Sequence, residues 1–69
     1  MEMMLLEDAK LSERIYGAMR RADWPWSFRE LEQRFGLDQV EFIAALVELR
    51  LERKLRSFRE NDVTYYEIP

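Results

Sequence analysis

Apolar residues recur along this chain first at helical spacing, then at strand spacing near the C-terminus. Leu11, Ile15, Ala18, Met19 and Ala22 fall on one helical side. They predict a helix over residues 12–22, with Ser12 as its N-cap and Glu13 in the first turn. Upstream, Met4, Leu5, Leu6 and Ala9 either prolong this helix or form a separate apolar arm over residues 1–11. Such an arm covers an edge of the core or binds a partner. Gly17 inside the helix costs ~1 kcal/mol relative to alanine, which a close helix contact there would explain.

Asp23-Trp24-Pro25-Trp26 ends the first helix. Pro25 donates no backbone hydrogen bond and holds Trp24 extended. Ser27-Phe28-Arg29-Glu30 has the form of a capping box, with Trp26 and Leu31 as the hydrophobic-staple pair. Trp26 is therefore read as structural and Trp24 as the freer indole. A second helix follows over residues 27–35, with Phe28, Leu31 and Phe35 on one side. Gly36 is expected to end it in the left-handed conformation, with Leu37 plugging the turn.

The longest helix is expected over residues 38–53, with Asp38 as its cap and Glu41 three residues on. At about 100° per residue, Phe42, Ile43, Ala45, Leu46 and Leu49 share one broad side. The opposite side then carries Asp38, Glu41, Glu48 and Glu52, with Ala44 its one uncharged member. Val40, Val47 and Leu51 fall beside the core arc and widen the apolar sector past half the circumference. A surface helix needs a stripe of only about 100°. The segment that follows this helix, the N-terminal arm or another chain must cover the excess.

Residues 55–68 read as a β-hairpin around Asn61-Asp62, two residue types that accept positive φ. In that register Leu55 faces Ile68, Arg56 faces Glu67, Ser57 faces Tyr66 and Phe58 faces Tyr65. Leu55, Ser57, Tyr66 and Ile68 share the core side.

The elements make a mainly α domain with a C-terminal hairpin: a winged helix-turn-helix of three helices and a wing, with an N-terminal helical extension, over residues 1–69. Its 69 residues hold no cysteine and no histidine, which removes disulfides and the usual zinc frameworks. The only glycines are Gly17 and Gly36, so no phosphate-cradling loop is present. Glu30, Asp38 and Glu41 already serve as caps, and the acids lack calcium-loop spacing. Enzymatic activity, a cofactor, a metal and a small-molecule substrate are not expected. No apolar run reaches the ~20 residues of a membrane span, and the first eight residues lack the features of a secretory signal. A cytoplasmic protein is expected.

The net charge of −3 is unevenly distributed. Arg50, Arg53, Lys54, Arg56 and Arg59 stand against Glu52 alone within residues 50–59. The basic cluster is confined to the end of the third helix and the first strand of the wing.

From Ser27 to about Tyr66 the chain resembles winged helices, and most of all the small C-terminal domain of DNA-processing protein A. The likeness lies in Gly36-Leu37, Phe42, the run Ala44 to Glu52, and Leu55. It departs at Arg53-Lys54, where that family usually places a helix-stopping glycine. The resemblance covers about 40 residues and implies the winged-helix fold.

Two functions follow. In the first, Asp38, Val40, Glu41, Val47, Glu48, Leu51 and Glu52 bind a protein partner or a second copy of the chain. In the second, Arg53, Lys54, Arg56 and Arg59 hold the phosphates of duplex DNA from the wing, helped by Arg29 and Arg34. Major-groove reading by the third helix is disfavoured, because its carboxylates would meet the phosphate charge of the duplex.

Overall fold

The computed structural model describes residues 9–22 and 24–69. The order is α1 (Leu11–Ala22), β1 (Trp26–Ser27), α2 (Phe28–Phe35), α3 (Gln39–Leu51), β2 (Arg56–Glu60) and β3 (Val63–Glu67). The strands form one antiparallel sheet in the order β1-β3-β2. Residues 1–8, where an arm was expected, lie outside the described residues.

Helix α1 begins two residues earlier than Ser12 as a cap would place it. Lys10 is the cap: its carbonyl accepts from the Arg14 amide at 3.0 Å, and its own amide donates to Glu13 Oε1 at 3.2 Å. Ser12 is instead buried in the first turn. The carboxylate half of a capping box suffices here without a hydroxyl. Among the described residues Gly17 has no close helix contact, since an added Cβ would meet only the Arg21 guanidinium there, at 3.8 Å.

Helix α2 carries the full box. Ser27 Oγ accepts from the Glu30 amide at 3.1 Å, and Glu30 Oε1 accepts from the Ser27 amide at 2.9 Å. Trp26 and Leu31 both enter the core. The same Trp26–Ser27 pair forms the short strand β1, in register with Tyr66 and Tyr65. A third strand was not foreseen, because two residues have no period to read.

Gly36 ends α2 without the left-handed geometry expected of it, at φ −94°. Glycine is needed there for space, because a Cβ would stand 2.5 Å from the Glu32 carbonyl oxygen. Leu37 does not plug the turn; it is fully exposed. Asp38 Oδ1 then caps α3 by accepting from the Glu41 amide at 3.1 Å. Gln39 Nε2 donates to Glu32 Oε2 at 3.0 Å and ties the two helices together.

At the far end of α3, Arg53 takes the left-handed turn at φ 62°. Its amide donates to the Arg50 carbonyl at 3.0 Å, and the Lys54 amide donates to the Leu49 carbonyl at 2.9 Å. These two bonds make a Schellman closure with arginine where glycine is usual. The chain then enters the hairpin, turning at Asn61 and Asp62 with φ of 54° and 65°. The strands pair Arg56 with Glu67, Ser57 with Tyr66 and Phe58 with Tyr65, the expected register.

The core lies between the helices and one sheet face. It comprises Ile15 and Met19 of α1, Leu31 of α2, Phe42, Ala45, Leu46 and Leu49 of α3, and Trp26, Leu55 and Tyr66. Phe28 braces Phe42, ring centres 5.5 Å apart. On the other sheet face Phe58 and Tyr65 stack at 5.4 Å.

Candidate interaction surface

Helix α3 has two apolar rows rather than one broad sector. Phe42, Ala45, Leu46 and Leu49 point inward and are buried. Val40, Ala44, Val47 and Leu51 form the opposite row and are all exposed. Val40 keeps 80% of its surface, Leu51 78% and Val47 48%. Ile43, expected in the core, is 40% exposed at the edge of this outward row. Leu37, before the helix, is also exposed.

The carboxylates are consequently not opposite the core. At about 100° per residue, Glu41, Glu48 and Glu52 fall along one flank between the two rows. Ile43 lies outside the buried arc, so the side opposite the core is the aliphatic row and not the carboxylates. Two of these acids already meet cations. Lys10 Nζ stands 3.8 Å from Glu48 Oε2, and Lys54 Nζ stands 3.6 Å from Glu52 Oε1. Asp38 is engaged at the helix cap.

The basic residues of the wing are largely partnered within the chain. Arg56 pairs with Glu67 across the strands. Arg59 donates to Thr64 Oγ1 and to the Asp62 carbonyl, each at 3.3 Å. Lys54 reaches Glu52 and also lies over the Tyr16 ring at 5.5 Å. Arg53 is exposed at the Schellman turn, and with Arg50 and Arg56 it borders a shallow depression. A phosphate approaching Arg56 or Arg59 must compete with an acceptor already in place. Exposed pairs of this kind are worth only ~0–1 kcal/mol, so the competition is weak but real.

The two tryptophans divide as their positions suggested. Trp26 is buried, with Arg34 over its ring at 5.5 Å, whereas Trp24 is exposed. Among the described residues no cluster of carboxylates is placed to hold a metal ion. No described helix is long and apolar enough to cross a membrane.

The fold is similar to a solved structure from a study of the DNA recognition and protein interaction domains of HOP2. The likeness covers 86% of this chain and 98% of that one, with a TM-score of 0.68 and 19% identity. The chain has a winged-helix fold. At that identity the comparison speaks to architecture, and it does not single out the DNA-processing protein A domain. No protein-family model matches the sequence, and no curated protein matches it. In winged-helix terms, α2 and α3 are the helix-turn-helix pair and β2–β3 the wing. The outward row of α3 therefore occupies the side that faces the major groove when such a helix reads DNA.

Ala44 belongs to the outward row as well, and Ile43 lies at its edge. The signal was present in the spacing. Residues 40, 44, 47 and 51 are separated by intervals of four, three and four, as in the seam of a coiled coil.

Proposed function

We propose that this chain is a non-enzymatic winged-helix module that binds another protein through the outward surface of α3. Val40, Val47 and Leu51 supply its apolar centre, and Asp38, Glu41, Glu48 and Glu52 its acidic border. One observation carries the reading: the helix side that would face DNA bases is aliphatic and exposed. Aliphatic side chains offer no hydrogen bonds to base edges beyond contact with thymine methyls. Fully burying a valine or leucine against a partner, by contrast, is worth roughly 1.5–3 kcal/mol. An exposed contiguous row of this kind marks an interaction site.

A second reading keeps Arg53, Lys54, Arg56 and Arg59 as phosphate contacts to duplex DNA. It is favoured by the cation cluster at residues 50–59 and by the fold likeness to HOP2, which has DNA recognition domains.

Selection from a displayed library of random helical peptides tests the first reading. Enriched peptides should bind the chain and fail to bind a Val47→Glu/Leu51→Glu variant of unchanged circular dichroism. The proposal is overturned if none is enriched while a random duplex binds at physiological salt and is lost with Arg56→Glu/Arg59→Glu.

A further inference from the structure

We infer that the partner seated on α3 is an amphipathic helix whose apolar stripe is flanked, on one side, by lysine or arginine. The inference rests on the reading of α3 as a protein-docking surface and names the chemistry of the occupant.

The seam spacing of Val40, Ala44, Val47 and Leu51 suits a helix packed lengthwise. Thirteen residues of α3 extend about 20 Å, so the occupant needs three to four turns. Ala44, the smallest member, lies mid-row and lets the two backbones approach.

The flanks decide which helix fits. Glu41 and Glu48 line one side of the row, Ile43 and Arg50 the other. In a paired seam these positions touch the neighbouring helix and select it by charge. A second copy packed antiparallel about a two-fold axis would lay the Glu41–Glu48 flank against itself, and like charges there are destabilising. Packed parallel, it would offer one Arg50 to two acids. A helix with cations along that flank meets both carboxylates. Lys10, the cap of α1, already stands 3.8 Å from Glu48 on this side, so an incoming cation shares that carboxylate with it.

Two labelled peptides of about three heptads test the inference, with identical leucine stripes. One carries lysine along a single flank, the other glutamate at the same positions. Fluorescence anisotropy with the full chain should show the lysine peptide binding about threefold or more tighter, the scale of two exposed ion pairs. The preference should vanish in Glu41→Gln/Glu48→Gln. It should persist in Glu60→Gln/Asp62→Asn, which changes net charge equally at the wing turn.

Equal binding of both peptides, or equal loss in the two variants, overturns the charged partner and leaves the docking surface standing. Self-association in sedimentation that Val47→Glu/Leu51→Glu abolishes makes a second copy the occupant instead. Stronger binding of both peptides after Leu5→Glu/Leu6→Glu makes the chain's own N-terminal segment the occupant. If neither peptide binds, and the chain is monomeric, both the inference and the docking surface fail.

Discussion

Leu49 and Leu51 stand two residues apart on α3 and face opposite ways: Leu49 is 1% exposed and Leu51 78% exposed. One belongs to the core and the other to the outward row. Leu49→Ala should therefore lower unfolding stability by about 2–5 kcal/mol. Leu51→Ala should change it by no more than about 0.5 kcal/mol. Chemical denaturation followed by tryptophan fluorescence measures both. Comparable losses at the two positions would mean that the outward row is covered within the chain.

Arg53 holds a left-handed backbone that disfavours any side chain. Arg53→Gly relieves that strain, less the extra freedom glycine has when unfolded, and should stabilise the domain by about 0.5–1 kcal/mol. A rise in melting temperature is the expected reading. A fall would show that the arginine side chain contributes more than its backbone strain costs.

Gly36 makes the converse case. Its Cβ would collide with the Glu32 carbonyl, a backbone atom that cannot swing aside. Gly36→Ala should destabilise by roughly 1–3 kcal/mol, the scale of forced backbone shifts. Because the φ of −94° is open to any residue, the loss reflects crowding alone. A neutral result would require the turn between α2 and α3 to relax freely.

Wing contact with DNA predicts a salt dependence. Arg56 and Arg59 already hold acceptors of their own chain. Anisotropy of a labelled random duplex should show weak binding at low salt, with no saturation at micromolar protein under physiological salt. Saturable binding there, lost in Arg56→Glu/Arg59→Glu, would place the wing readings first.

Much of the architecture was legible because local chemistry and tertiary structure agree. The Ser27–Glu30 box, the Asp38 cap and the Asn61-Asp62 turn each fix a boundary within a few residues, and each is present. The strand register follows from those turn residues and from the pairs they align. The facing of α3 was harder to read. Both its rows are apolar, so periodicity alone cannot say which is inward; packing against α1 and the rest of the core decides. Strand β1 was hidden for a different reason, since Trp26 and Ser27 serve at once as staple, cap and strand. The partnering of the wing cations likewise depends on cross-strand neighbours that only the folded hairpin brings together.

The most direct measurement is methyl NMR of the labelled chain, titrated separately with the lysine-flanked helical peptide and with a random duplex at physiological salt. Docking on α3 predicts that the peptide shifts the methyl signals of Val40, Ala44, Val47 and Leu51 while the duplex leaves them in place. Duplex-induced shifts along that row, with none from the peptide, would contradict it.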